Sequence, residues 1–99
     1  MFMVREVLNC RPGKVGTLVK KFKALGDIMQ GMGLGPFRIY TDVAGAQFWT
    51  LILEREYESL DEVLAVESRV MSDAGAQAAM DGYHDLVTKG SREIYKVEG

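Results

Sequence analysis

Gln47-Phe48-Trp49-Thr50-Leu51-Ile52-Leu53-Glu54-Arg55-Glu56-Tyr57 is the most strand-like stretch of the chain, dense in aromatic and branched aliphatic residues. One parity holds Phe48, Thr50 and Ile52, and the other holds Trp49, Leu51, Leu53 and Tyr57. A sheet wetted on one side alternates apolar with polar residues, whereas this stretch is apolar on both sides over most of its length. Something besides the chain's own helices must therefore cover the second face. In a chain of 99 residues with no spare segment, the economical cover is a second copy of itself.

Working outward from this strand, Phe37 to Asp42 reads as another strand. The short Val43-Ala44-Gly45-Ala46 turn between them makes an antiparallel hairpin. Upstream, the β-prone run Met3 to Cys10 stops at the turn signal Arg11-Pro12-Gly13-Lys14. Val15, Leu18, Val19, Phe22, Leu25 and Met29 then form one apolar stripe, predicting an amphipathic helix over 15–30. Glycines 31, 33 and 35, followed by Pro36, end it. This segment is read as a long connection, with a mobile lid as the alternative.

Downstream, Ser59-Leu60-Asp61-Glu62 is a capping box opening a second helix. Leu60, Val63, Leu64, Val70 and Met71 keep one face apolar, interrupted by Glu67. The pattern falters at Ser72-Asp73-Ala74-Gly75 and resumes over about 76–87. Lys89-Gly90 closes it, and Arg92 to Val97 reads as a fourth strand. The order β-α-β-β-α-β predicts an α+β, ferredoxin-like split βαβ fold. It has four antiparallel strands with two helices on one face, in a single domain over 1–99.

Composition narrows the function classes. With 12 basic against 14 acidic residues the net charge is −2, so no basic field recommends a nucleic-acid or acidic-membrane partner. One cysteine excludes an intrachain disulfide and a multi-cysteine metal cluster. No apolar run approaches the roughly 18–20 residues of a membrane span, and the first residues lack a signal-peptide pattern, so a cytoplasmic protein is expected.

Arg11-Pro12-Gly13-Lys14 closing the first strand, and Glu56-Tyr57-Glu58-Ser59-Leu60 between the third strand and second helix, resemble the dimeric α/β-barrel superfamily. The resemblance is to its NIPSNAP-like and antibiotic-biosynthesis-monooxygenase-like branches, and it spans the whole chain. It implies two sheets meeting face to face and a pocket in each subunit. Members include cofactor-free monooxygenases, haem-degrading enzymes and isomerases, so the resemblance leaves activity open. Arg55 departs from it, standing where NIPSNAP-like chains commonly carry tryptophan. The haem-degrading pattern fits poorly. Glu6 occupies its asparagine's place, with Asn9 out of register. No tryptophan stands on the second helix, and His84 comes about one turn late.

The candidate residues each carry two readings. His84, the only histidine, is a general base or a helix-surface residue; no carboxylate or cysteine set makes a metal site with it, although Asp81 and Asp85 flank it. Cys10 is more readily a small buried hydrophobe than a catalytic thiol. Trp49 packs a core or interface, or stacks on an aromatic ligand. Tyr40 and Tyr57 donate to a ligand oxygen or reach the wet edge of the core, and Leu51 joins them in a pocket lining. Glu6, Arg38 and Arg55 are costly if they point inward unpaired, and an ion pair is their commoner fate. Glu6 shares its parity with Phe2, Val4, Leu8 and Cys10, which makes it the most interesting carboxylate.

The leading expectation is a homodimeric barrel protein that takes a small apolar or aromatic molecule between sheet and helices, without a cofactor or metal. Tyr40, Trp49, Leu51 and Tyr57 would line that pocket. The enzymatic alternative is cofactor-independent oxygenation of an aromatic or polyketide-like substrate, with Glu6 or His84 as base. The third reading is a dimerisation module without a ligand.

Overall fold

The computed structural model describes residues 1–99. Strand β1 (Phe2–Cys10) is followed by α1 (Val15–Gly31), then β2 (Arg38–Thr41) and β3 (Thr50–Tyr57). Helices α2 (Leu60–Met71) and α3 (Ala74–Ala79) come next, then a 3₁₀ turn over Tyr83–Leu86, and β4 (Val87–Lys96). The sheet order is β2-β3-β1-β4, and every pairing is antiparallel. This is the expected ferredoxin-like α+β arrangement.

Local chemistry sets the boundaries. Helix α1 ends in a Schellman motif: Gly33 takes φ +79°, its N–H donates to Gln30 O, and the Leu34 N–H donates to Met29 O at 3.0 Å. Leu34 then packs back onto the core, and Arg69 Nη2 donates to Met32 O at 2.9 Å. The glycine-rich stretch is thus a pinned connection. At α2, Ser59 Oγ accepts from the Glu62 N–H at 3.1 Å. The Glu62 carboxylate reaches back one residue further than a standard box, accepting from the Glu58 N–H at 2.6 Å.

Three boundaries differ from the sequence expectation. Strand β3 begins at Thr50, so Gln47, Phe48 and Trp49 lie in the turn before it. Trp49 has φ +60°, a left-handed conformation that a regular strand does not admit. Asp42 causes this local turn to close: its Oδ1 accepts from the Thr50 N–H at 2.7 Å, while Trp49 O accepts from Cys10 N–H at 2.8 Å. The second helical region breaks where serine and aspartate promised, because Asp73 caps a new helix through the Ala76 N–H at 2.8 Å. That helix is shorter than expected, since Gly82 at φ +78° turns the chain into the 3₁₀ segment. Finally, β4 starts at Val87, five residues before Arg92, because pairing with β1 carries Thr88-Lys89-Gly90 along despite their weak strand propensity. Gly90 sits opposite Leu8, where a Cβ would come within 3.2 Å of the leucine side chain.

The helices lie on one side of the sheet. The first core cluster joins Val4 and Tyr57 to Met29, Val63 and Val66. The second joins Cys10 and Leu51 to Leu18 and Phe22, and both Leu18 and Leu51 are completely buried. Pairing therefore places Glu6 and Leu8, and likewise Leu53 and Arg55, on this helix-facing side. The opposite side bears Met3, Arg5, Val7, Tyr40, Ile52, Glu54, Glu93 and Tyr95. Apolar residues share that face with an ion cluster, in which Arg5 Nε meets Glu54 Oε2 at 2.7 Å and Arg5 Nη1 meets Glu93 at 3.5 Å. No segment of the chain covers it. The molecule is a slab 35 × 35 × 17 Å, with 11 of 99 residues buried, a small core for one sheet and one helical layer.

Candidate functional site

Between the helix-facing side of the sheet and the helices runs a cleft of two adjoining hollows, of about 180 and 580 Å³. They share a wall made by Glu6, Phe22, Leu25, Val70 and Met71. The smaller hollow lies over β1 and β3, and ten of its fifteen lining residues are hydrophobic. The larger extends past α3 to Met80, Tyr83 and His84. The cleft has the dimensions and the apolar walls with few polar groups that characterise small-molecule sites of ~300–1,000 Å³.

Apart from Glu54, which is paired with Arg5, and Gln77 and Asp81 at the larger hollow, the polar groups fall into three sets. On β1, Glu6 accepts from Arg92 Nη2 at 2.7 Å, and the same nitrogen contacts the Glu67 carboxylate from α2. One guanidinium thus serves two carboxylates, leaving the trio with one net negative charge. Their side chains are about a third exposed, so the pairing contributes at most about 1 kcal/mol to stability. At the larger hollow, His84 is exposed on the 3₁₀ turn and lies against the Tyr83 ring, with centroids 4.0 Å apart.

The third set is Arg55 alone. Its guanidinium carbon lies 4.2 Å from the centroid of the Tyr57 ring, and Nη1 is buried without a hydrogen-bond partner. It is the one buried side-chain polar atom in the chain left in that state. A cation–π contact returns up to about 2 kcal/mol. Arg55 as a whole is half-buried, so one nitrogen rather than the whole charge is withdrawn from water, and leaving that donor unsatisfied costs about 1–3 kcal/mol, which the ring offsets in part.

The structure brings Glu6, His84 and Tyr57 to the border of the cleft. It brings Arg55 there too, and separates Leu51, Tyr40, Trp49, Arg38 and Cys10 from it. Leu51 is sealed inside the core, Tyr40 is half-exposed on the edge strand facing away from the helices, and Trp49 sits in the turn before β3. Trp49 is displaced because Asp42 and the Cys10 N–H fix the turn that ends the β1–β3 ladder. Arg38 pairs in register with Glu54 on the helix-free side. Cys10 is buried, and desolvation, reinforced by the Asp42 charge, pushes its thiol up, so it is no thiolate nucleophile. Sequence reasoning missed Glu67 and Arg92 as site residues. The signal for Glu67 was its interruption of an otherwise apolar helix face. No group of three or more His, Cys, Asp or Glu side chains is placed to hold a metal ion. No helix is long and apolar enough to cross a membrane.

No protein-family model and no curated protein sequence matches the chain. Solved structures do. A NIPSNAP family protein of unknown function from Agrobacterium tumefaciens superposes with a TM-score of 0.84 at 19% identity, covering 98% of this chain and 87% of that one. An uncharacterised NIPSNAP-like domain protein from Burkholderia xenovorans gives 0.82 at 14% identity, with 97% and 84% covered. A protein of Nitrosomonas europaea provisionally named an antibiotic biosynthesis monooxygenase gives 0.75 at 13% identity over the full length of both chains. The fold is therefore that of the NIPSNAP and antibiotic-biosynthesis-monooxygenase structures, the ferredoxin-like architecture the sequence resembles. At these identities the likeness concerns the fold and not the activity.

Proposed function

We propose that the chain is a small-molecule-binding protein whose site is the cleft between sheet and helices, working as a homodimer. The observation that carries this is the cleft itself, an apolar hollow of two chambers with a few polar groups gathered at its walls. An apolar or aromatic molecule gains from leaving water for such walls, and the polar groups fix its orientation. The helix-free face of the sheet supports the second copy. It bears the half-buried Met3, Val7 and Ile52 and the exposed Tyr95 beside acidic and basic groups able to pair across a twofold axis, and the thin slab lacks any other cover.

Val70 borders both hollows, so Val70→Trp tests the site by filling it. The expected result is loss of stabilisation by planar aromatic compounds in a thermal-shift panel, with a melting temperature near the wild-type value. Undiminished stabilisation in the variant would place binding elsewhere.

A second reading, cofactor-independent oxygenation, draws on Glu6 and His84 both bordering the cleft and on the name of the Nitrosomonas neighbour. There a carboxylate or imidazole takes a proton from a phenol or enol, and the resulting electron-rich substrate reacts with oxygen. Turnover of such a compound that Glu6→Gln or His84→Gln abolishes would favour it over simple binding. The dimerisation module without a ligand is the least supported, because the cleft would then serve nothing.

A further inference from the structure

We infer that Arg55 is the anion anchor of the cleft, and that the ligand class is a flat, largely apolar molecule bearing one oxyanion, such as a carboxylate, phenolate or enolate. The inference rests on the cleft being the ligand site and names what that site selects.

Two arginines and no lysine border the cleft. Arg92 is committed to Glu6 and Glu67. Arg55 has no carboxylate within ion-pairing distance and keeps a buried Nη1 without an acceptor. Arg55 lines the smaller hollow and its guanidinium is steadied by the Tyr57 ring, and a guanidinium's planar fork is the group that matches an oxyanion. Its position is fixed by neighbours rather than by an ion pair. Gly35 closes over it so nearly that a Cβ there would lie 3.6 Å from Nη2. The Arg92 trio carries one net negative charge and repels an anion from its own wall, which leaves Arg55 as the attractive pole. The apolar residues between, among them Phe22, Leu25 and Val66, suit the body of an aromatic acid.

The test compares 2-naphthoate with its neutral isostere 2-naphthamide by isothermal titration calorimetry on the wild-type protein, Arg55→Gln and Arg55→Lys. The expected result is that wild type binds the acid at least tenfold more tightly than the amide. Arg55→Gln then binds the two within twofold of each other, and Arg55→Lys keeps a reduced preference because it loses the fork. Wild-type binding without preference, or a preference retained in Arg55→Gln, overturns the assignment while leaving the cleft as a binding site. Failure of both probes to bind wild type overturns the cleft reading and Arg55 with it. If Arg55→Gln does not fold, Arg55→Lys decides: an undiminished preference for the acid overturns the bidentate anchor.

Discussion

Leu51→Ala lowers the unfolding free energy by about 3 kcal/mol and the melting temperature by about 15 °C. Leu51 is completely buried in the central strand β3, against Cys10, Leu18 and Phe22. Truncation removes its transfer free energy and leaves a void, which Leu18 on a hydrogen-bonded helix cannot collapse to fill. With only 11 of 99 residues buried, there is little else to absorb the loss. Leu51→Met conserves the volume and is expected to cost under about 1.5 kcal/mol. Chemical denaturation of the three proteins measures both values. A loss below about 1 kcal/mol for the alanine variant would mean that Leu51 does not anchor the core.

Ile52→Lys is expected to convert the proposed dimer to a monomer with its fold retained. Ile52 lies one residue along from Leu51 and so on the opposite face, between Val7 of β1 and Tyr40 of β2. In one protomer a lysine there reaches water. Against a second sheet it is an unpaired buried charge, a penalty of about 3–5 kcal/mol and hence a dissociation constant weakened by roughly 10²- to 4 × 10³-fold. Native mass spectrometry and sedimentation velocity should give the wild type at twice the 11.0 kDa chain mass and the variant at once that mass. A wild-type monomer, or an undisturbed dimer in Ile52→Lys, would contradict the arrangement.

Much of the fold was legible because its signals are local. The stripe on α1, the turn at Pro12-Gly13 and the cap at Ser59 depend on residues within a few positions of one another. The misplacements came where distant partners decide. Trp49 has a strand former's propensity, yet Asp42 and Cys10 hold it in a left-handed turn. Thr88 to Gly90 lack strand character and are drawn into β4 by β1. The same division runs through the site. Alternation put Glu6 on the parity of Val4 and Leu8, but only the helices reveal that this parity faces a cleft. Tyr57 was within reach for the same reason, whereas the meeting of Glu67 and Arg92 joins positions 25 residues apart and has no periodic signature. Arg55 shows as a cation on a strand; that it lacks a partner is a fact of three dimensions.

The most direct test of the cleft as the binding site is a titration of ¹⁵N-labelled protein with 2-naphthoate, followed amide by amide. Saturable shifts are expected at Glu6, Leu25, Arg55, Val70 and their neighbours around the two hollows, and none in Val70→Trp. Shifts confined to the helix-free face of the sheet, around Arg5, Ile52 and Tyr95, would contradict it.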